Sequence, residues 1–470
     1  MTGHNPLGGS EVASLSQRLR GQVLARGEPG FDEARPVWNG MIEKTPRLMV
    51  LAAGADDVAP TIEFARRHGL RLAVRGGGHN VAGNGTVDDG IVLSLKALDS
   101  VQVDAETRRV RVGGGATLGK IDAVTIAEDL VVPAGVVSPT GVGGLTLGGG
   151  FGWLTRTHGL TIDNLVAAEV VTASGEHVRA SAAENPELLW GLKGGGGNFG
   201  VVTSFTFDAH PLPSQVYAGN LVYRRPEWEK VLAAADTVFA DLPEEVSPIF
   251  TGLVPPPDWG LGNEPILILG AVWAGTDAEA GAAWFESLLR QLPTQERILG
   301  PVPWTEWQSQ VDVYFPYGSR GYWKNTSFDR LDAGAVDVLT RRLAEHELFG
   351  TAFDIHVMGG AMARVPEDAT AFPDRSAAYW LNIYGFWRNR ADDERLTAFV
   401  KAFAHEMQPF SSGGTYVNFL GAEHDRDPWR QALAVYGPEK LARLSALKRE
   451  YDPENVFRLN HNIPPVGPQA

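Results

Sequence analysis

The chain has 470 residues, which is more than a single hydrophobic core usually organises, and we therefore expect two domains. It carries 41 basic and 56 acidic residues, and this net charge of −15 argues against nucleic acids and anionic membranes as partners. It has no cysteine, which excludes disulfides, thiolate nucleophiles and cysteine-ligated metals. The N-terminus lacks the pattern of a signal peptide and no apolar stretch is long enough to span a membrane, so we predict a cytoplasmic protein.

The first 210 residues mix strand-like and helix-like segments. Apolar residues at 58, 62 and 65 recur at helical spacing, and Gly69 is placed to end that helix. Short apolar runs predict the strands, and a polar turn at 104–107 predicts a β-hairpin. The predicted helices cover 11–25, 58–69, 118–124 and 186–191, and the predicted strands cover 48–51, 70–74, 91–95, 101–103, 110–112, 165–172 and 201–207.

The composition shifts after Pro-Leu-Pro at 211–213. Up to about residue 410, long helices alternate with isolated strands, and tryptophans are concentrated in this half. A capping box at 276–279 precedes an apolar-striped helix. Further helices are predicted over 394–407 and 429–448, and buried strands over 266–272 and 380–386. The pattern predicts a second α+β domain with an aromatic-rich pocket.

Three glycine-rich runs are the most informative feature of the sequence. They are Arg-Gly-Gly-Gly-His-Asn at 75–80, Gly-Val-Gly-Gly at 141–144 continuing to three glycines at 148–150, and Gly-Gly-Gly-Gly-Asn-Phe-Gly at 194–200. Consecutive glycines lose much backbone entropy on folding, and their usual use is to bring N–H groups close to an anion. The runs therefore predict a cradle for a long, multiply charged cofactor such as a dinucleotide. Three tight turns in a glycine-rich protein are the alternative.

Familiar nucleotide-binding and hydrolase motifs do not fit. The Rossmann fingerprint fails at Thr146, where a glycine is required, and a P-loop fails at Ile121, which cannot ligate Mg²⁺. The sequence has no H-E-x-x-H zinc motif and no G-x-S-x-G nucleophile motif. A Ser-His-Asp triad stays open, because its members need not be close in sequence.

Together with Tyr-Asp-Pro-Glu-Asn-Val-Phe at 451–457, these runs resemble the FAD-linked oxidases of the vanillyl-alcohol-oxidase superfamily. The resemblance is greatest to the berberine-bridge-enzyme-like branch, which includes bacterial sugar, nicotine-derivative and antibiotic-tailoring oxidases, and it covers almost the whole chain. It implies an α+β fold with a two-part FAD-binding domain of the PCMH type. Residues 1–210 and 416–470 would form that domain, and residues 211–415 would form an inserted substrate domain of antiparallel sheet and helices.

The resemblance also implies that FAD is held covalently, through a bond from a ring nitrogen of His79 to the 8α-methyl group. Many relatives add a second bond from a cysteine, but Val137 stands at that position here, so a single link is expected. Thr140 aligns with the position that gates oxygen; valine there accompanies oxidase activity in relatives, and threonine has nearly the same shape. No metal is expected. The residues that the resemblance assigns to cofactor binding are Arg75, Gly76, Gly77, Gly78, His79, Asn80, Gly83, Ser138, Thr140, Gly143, Gly144, Gly148, Gly149, Val202, Asn460 and Asn462.

The implied reaction is hydride transfer to flavin N5 from an alcohol, an amine, or a secondary-metabolite or sugar substrate, with O₂ reoxidising the flavin and giving H₂O₂. Such a reaction usually needs a base. Tyr416, in a strand motif resembling that of the family, is the first candidate and Tyr379 is the second, although either could be a core tyrosine. Asp354 and His356 alternate along a strand and could share one surface, facing either a pocket or solvent.

Two alternatives to the oxidase stay open. A flavin dehydrogenase of the same fold would pass electrons to an acceptor other than oxygen. A flavin-loaded binding protein would show no turnover. The expected partners are a small-molecule substrate and O₂, with the chain acting as a monomer or a homodimer.

Overall fold

The computed structural model describes residues 8–346, 350–421 and 427–467. Helices are mixed with mainly antiparallel sheets, as the predicted α+β class requires. Within these parts of the chain, no helix is both long and apolar enough to cross a membrane. The helices are α1 (Gly9–Gln17), α2 (Phe31–Ala34), α3 (Val58–Arg67), α4 (Leu118–Thr125), α5 (Val142–Gly148), α6 (Thr155–His158), α7 (Pro186–Leu192), α8 (Trp228–Ala233), α9 (Ala235–Val238), α10 (Ala278–Gln291), α11 (Trp304–Ser309), α12 (Ala333–Ala344), α13 (Ala361–Arg364), α14 (Asp393–Met407) and α15 (Pro428–Tyr451).

The first half of the chain builds two sheets and a short ladder. Its strands are β1 (Gln22–Ala25), β2 (Leu48–Leu51), β3 (Leu72–Arg75), β4 (Ile91–Ser94), β5 (Val101–Asp104), β6 (Arg109–Gly113), β7 (Leu130–Val131), β8 (Leu165–Val171), β9 (His177–Ser181), β10 (Val201–Asp208) and β11 (His210–Pro211). One sheet has the order β1-β2-β4-β3, with β2 and β3 parallel to β4. The other has the order β5-β6-β10-β8-β9 and is antiparallel throughout, while β7 pairs with β11.

The second half builds one antiparallel sheet of seven strands. They are β12 (Gln215–Tyr223), β13 (Val246–Leu253), β14 (Ile266–Trp273), β15 (Arg297–Pro303), β16 (Arg320–Phe328), β17 (Thr351–Val357) and β18 (Tyr379–Trp387). Their order is β15-β12-β14-β13-β17-β18-β16. The strands predicted over 266–272 and 380–386 are β14 and β18, which confirms both predictions.

The two faces of this sheet differ because successive side chains in a strand point in opposite directions. Phe353 of β17 and Leu381 of β18 point to one face, where they join the large core that also contains residues of α10, α12 and α14. Asp354 and Asn382 are direct neighbours across the same two strands and point to the other face, where they line a cavity. The sheet therefore presents a polar patch on the side away from its helices.

The chain ends meet in one core. Leu441 and Leu444 of α15 are buried in the same cluster as Val110 of β6 and Phe205 of β10. The last helix thus packs on the five-stranded sheet of the first half, after the seven-stranded sheet has been completed. The domain limits at residues 210 and 415 stay a prediction.

Three local predictions were wrong. The helix expected over 11–25 ends at Gln17, and Gln22–Ala25 is a strand, because the Asp57 carboxylate accepts the N–H groups of Arg20 (2.7 Å) and Gly21 (3.0 Å) and fixes the chain beside β2. Asp277, not the predicted capping box, caps α10 by accepting the N–H groups of the next turn. Tyr416 is not in a strand, since it precedes a 3₁₀ turn at Val417–Phe419.

A buried ion pair ties the end of α15 to the third glycine run. Lys448 and Asp452 are fully buried, and Lys448 Nζ donates to Asp452 Oδ2 at 2.7 Å, to the Asn198 carbonyl at 2.7 Å and to the Phe457 carbonyl at 2.9 Å. The Asp452 carboxylate also accepts the N–H groups of Val456 and Phe457. The three N–H groups of Lys448 and both oxygens of Asp452 thus make hydrogen bonds that hold the C-terminal motif against the glycine run.

Replacing Lys448 by methionine is expected to lower the free energy of unfolding by about 3–5 kcal/mol, because it leaves the Asp452 carboxylate buried without a counter-charge. The matched control is Lys120→Met, since Lys120 pairs with Asp99 at 2.6 Å but both side chains are nearly half exposed. The control is expected to cost less than about 1 kcal/mol. Urea unfolding of the two variants measures the difference, and equal midpoints would show that the buried pair does not stabilise the fold.

Candidate active site

The first two glycine runs are in direct backbone contact. The first follows β3 and the second leads into α5. A Cβ on Gly77 would lie 2.5 Å from the Gly141 nitrogen and 2.7 Å from its Cα, and a Cβ on Gly141 would collide with Gly77 in turn. Only glycine allows this approach, which brings the two loops together at the edge of a cavity.

All three glycine runs line this cavity, which we call the glycine cavity. Its volume is about 260 Å³. Of the residues predicted to bind a cofactor, those that line it are Arg75, Gly76, Gly77, Gly78, His79, Asn80, Thr140, Gly143, Gly144, Val202 and Asn460. The predicted residues that do not line it are Gly83, Ser138, Gly148, Gly149 and Asn462. Eleven of the sixteen predicted residues therefore line one cavity.

Two of the predicted residues outside the lining, Gly83 and Ser138, are direct neighbours in sequence of Asn84 and Val137, which line the cavity. Gly83 has a φ of +70°, which favours glycine, and it packs against Ile42. The Ser138 N–H donates to the Asp312 carboxylate at 2.8 Å, which joins this loop to the second half of the chain. The positive φ accounts for glycine at position 83, and the bond from Ser138 is made by its backbone.

His79 lies in the lining with one ring nitrogen unused. Its ring stacks on Trp38, with centroids 4.7 Å apart and planes 24° from parallel. Burial lowers the pKa of His79 to about 4, so the imidazole is neutral at pH 7. Its Nε2 is buried and has no hydrogen-bond partner among the described residues. A neutral, oriented imidazole with a free lone pair is a nucleophile.

Arg75 holds the first run in shape. Its guanidinium donates to the Gly85 carbonyl at 2.9 Å and to the carbonyls of Ala34, Arg35 and Pro36 at 2.7–3.1 Å. These bonds tie the N-terminal segment to the loop that carries His79. The described contacts of the charged group are therefore structural.

Tyr416 lies in the lining with its hydroxyl oxygen already bound by two donors. The Gly150 N–H donates to it at 3.0 Å and Asn418 Nδ2 donates at 2.9 Å. Burial raises the pKa of Tyr416 to about 12, while these two donors act in the opposite direction. Two N–H groups aimed at one phenol oxygen stabilise a phenolate.

Tyr379 lies elsewhere. It is buried in the core on the helix face of the seven-stranded sheet, and its hydroxyl donates to Asp236 at 2.7 Å. It lines neither the glycine cavity nor the second cavity that is described below. The structure therefore does not bring the second candidate to the site, because β18 begins with this residue on the face opposite to the cavities.

A second cavity, which we call the aromatic cavity, opens beside the first. Its volume is about 480 Å³. Aromatic and aliphatic side chains from the seven-stranded sheet and its loops form most of the wall, including Trp153, Trp259, Tyr314, Phe315, Tyr384 and Phe386. The two cavities share the wall residues Val136, Phe315, Asp354, His356 and Phe386. A molecule in the aromatic cavity therefore faces the glycine cavity across these five residues.

The shared wall contains two titratable groups. Burial raises the pKa of Asp354 to about 6, and its Oδ1 accepts a hydrogen bond from Thr251 at 2.8 Å. The Tyr384 hydroxyl donates to the same carboxylate. Burial lowers the pKa of His356 to about 3, so this ring is neutral. The sequence left open whether Asp354 and His356 face a pocket or solvent. In the structure both line the cavities.

Sequence reasoning missed Trp38 and Phe151. Trp38 is fully buried and supports His79, and Phe151 lies in the lining with its ring against His356, Trp380 and Tyr416. A tryptophan inside an otherwise polar N-terminal segment was the available signal for the first. Nothing local marks the second, because its partners come from distant strands.

Comparisons with known proteins give matches over nearly the whole chain. The model of an FAD binding domain matches residues 46–181, and the model described as "Berberine and berberine like" matches residues 415–464. The chain is 31% identical over 463 residues to an uncharacterised FAD-linked oxidoreductase, YvdP, of Bacillus subtilis, covering 96% of this chain and 99% of that protein. It is 28% identical to the (R)-6-hydroxynicotine oxidase of Paenarthrobacter nicotinovorans, covering 96% and 98%.

Solved structures of similar proteins have the same fold. The 6-hydroxy-D-nicotine oxidase of Arthrobacter nicotinovorans superposes with a TM-score of 0.82 at 27% identity, covering 95% of this chain and 98% of that one. A variant of berberine bridge enzyme superposes with a TM-score of 0.86 at 22% identity, covering 98% and 100%. These matches confirm the expected PCMH-type fold.

Proposed function

Because this chain belongs to the berberine-bridge-like FAD-linked oxidoreductases, we propose that it is an oxidase that holds FAD through a single covalent bond to His79. It would oxidise an alcohol, an amine, or a secondary-metabolite or sugar substrate and pass the electrons to O₂, giving H₂O₂. The unused Nε2 of His79, buried in the wall of the glycine cavity, is the observation that carries the proposal.

The residues of the glycine cavity fit FAD. The three glycine runs form much of the cavity wall, and glycine lets a pyrophosphate approach the backbone closely. Gly144 is exposed, with nothing within 4 Å of an added Cβ. The Asn460 amide donates to the Gly197 carbonyl at 2.9 Å and so orders the third run from the C-terminal motif. When bound, FAD supplies the acceptor for the substrate's hydride.

The state of His79 supports a covalent link. Its low pKa keeps the imidazole neutral, Trp38 fixes the ring plane, and the buried Nε2 keeps its lone pair for a bond to carbon. A second, thioether link cannot form, since the chain has no cysteine. Val137, which stands where relatives carry that cysteine, lines the same cavity.

The environment of Tyr416 supports its role as the base. Gly150 and Asn418 donate to its oxygen and would stabilise a phenolate, but burial still holds its pKa at about 12. The phenol is therefore protonated at pH 7, and it can act as the base only where the bound oxidised flavin lowers that pKa further. Thr140 lines the same cavity, at the position that resembles the oxygen gate of relatives. Both residues line the cavity that we propose for FAD, which supports these roles.

The oxidase is tested by mixing the anaerobically reduced protein with air-saturated buffer in a stopped-flow instrument. Reoxidation within about a second is expected of an oxidase. Reoxidation over minutes would contradict that activity and favour the dehydrogenase.

A panel of sugars, alcohols, amines and aromatic polyketides tests turnover in the same instrument, because a substrate bleaches the flavin in the absence of air. A panel that never bleaches it would favour a binding protein.

A further inference from the structure

Among the five residues of the wall that the two cavities share, Asp354 is the one that carries a charge at pH 7, since His356 is neutral. Asp354 lies in the wall shared with the glycine cavity, and its two described hydrogen-bond partners, Thr251 and Tyr384, are neutral. The other charged residues in the described wall are Glu296 and Arg297. Glu296 is already paired with Arg224, and Arg297 is exposed at the start of β15. A buried carboxylate without a counter-ion is costly, so a cationic ligand would relieve that cost.

The rest of the wall suits the body of such a ligand. Six aromatic side chains surround the space, and ring faces attract cations as well as apolar groups. Several polar groups of the wall are already engaged with one another, since Asn220 donates to Gln310, and Thr251 and Tyr384 donate to Asp354. An oligosaccharide would need a hydrogen-bond partner for each of its hydroxyl groups. The cavity therefore favours a compact ring system that carries one charged nitrogen.

We propose that the substrate is a cationic amine with a compact apolar or aromatic body, and that Asp354 binds its ammonium group at the junction of the two cavities. The inference rests on the proposed oxidase function, because it names the substrate class of that site. It needs only binding, so it is tested without turnover.

The test compares three probes of one shape and different charge on the purified holoprotein. They are 2-phenylethylamine, 2-phenylethanol and phenylacetate, and isothermal calorimetry measures their affinities. The amine is expected to bind about 10 to 100 times more tightly than the alcohol, as a charge-assisted hydrogen bond allows. Phenylacetate is expected to bind most weakly. An alcohol that binds as tightly as the amine would overturn the proposal, and the stopped-flow result on O₂ would be unaffected.

Asp354→Asn is the matching variant, since it removes the charge and keeps the shape. It is expected to bind the amine and the alcohol with equal affinity. The control is Asp258→Asn, because Asp258 is an exposed carboxylate beside Tyr314 that is not in the cavity wall. The control is expected to keep the preference for the amine. A preference that survives in Asp354→Asn would assign the recognition to the rings alone and overturn the role of Asp354.

The pH dependence of the unmodified protein keeps the test decisive if Asp354→Asn fails to fold. Thr251 and Tyr384 bond to Asp354 and Asn382 is its neighbour across the sheet, while His356 and Tyr314 line the same cavity. None of the five titrates near pH 6, since the pKa of His356 is about 3 and burial raises those of both tyrosines. Amine affinity is expected to fall at least tenfold between pH 7.5 and pH 5, as Asp354 with its pKa of about 6 gains a proton. A constant affinity over that range would overturn the proposal.

Discussion

The Tyr416→Phe variant is expected to slow reduction of the flavin by substrate about 10² to 10⁴ times, the usual contribution of a general base. The substitution removes only the hydroxyl group, which receives hydrogen bonds from the Gly150 N–H and Asn418 Nδ2. The aromatic packing against Phe151 and Trp380 is kept. Loss of rate with retained cofactor would therefore report on the proton transfer and not on the shape of the cavity.

The measurement is anaerobic stopped-flow reduction by a panel compound that bleaches the unmodified protein. Tyr379→Phe is the matched control, because it also removes a buried hydroxyl group that makes a hydrogen bond, here to Asp236 on the helix face of the sheet. The control is expected to keep a rate within about threefold of the unmodified protein, in line with a hydroxyl that touches neither cavity. An unchanged rate in Tyr416→Phe would remove this residue from the mechanism.

The second large effect is expected from Gly144→Leu, which should yield a folded protein without FAD. An added Cβ meets no protein atom within 4 Å at this position, and leucine is a better helix former than glycine by about 1 kcal/mol, so α5 should not be destabilised. The side chain would instead fill the glycine cavity. Flavin content, measured as the ratio of absorbance at 450 nm to that at 280 nm, is expected to fall below about a tenth.

Gly9→Leu is the control for this experiment. Gly9 is also an exposed helical glycine with nothing within 4 Å, but it belongs to α1, far from both cavities. The control is expected to keep its full flavin content and the unfolding temperature of the unmodified protein. The Gly144→Leu variant is expected to unfold cooperatively but at a lower temperature, because it lacks the stabilisation that bound FAD provides. A yellow Gly144→Leu variant would mean that FAD does not lie against this part of α5.

The glycine runs were the part of the site that the sequence could predict, because the reason for glycine is local. Gly77 and Gly141 exclude each other's side chains, and that constraint leaves a visible pattern in the chain. His79 follows directly from it, since the residue after a fixed loop has a fixed place. Trp38, which stacks on the ring of His79, comes from a separate segment, where its one local signal was a tryptophan in an otherwise polar stretch.

The substrate side of the site could be predicted much less well. Strand alternation correctly placed Asp354 and His356 on one surface, but only the packing of the sheet decides whether that surface meets solvent or a cavity. The sequence offered Tyr416 as the first candidate base and Tyr379 as the second, and it could not decide whether either was a core tyrosine. The structure separates them because β18 directs Tyr379 to the helix face, whereas the 3₁₀ turn after Tyr416 leaves its ring in the cavity wall.

The covalent bond between FAD and His79 is the central claim, and acid precipitation tests it most directly. The purified protein and its His79→Ala variant are precipitated with acid, and the flavin absorbance of pellet and supernatant is measured. The yellow colour is expected to stay in the pellet of the unmodified protein and to be absent from the pellet of the variant. Colour that moves into the supernatant of the unmodified protein would contradict the covalent link.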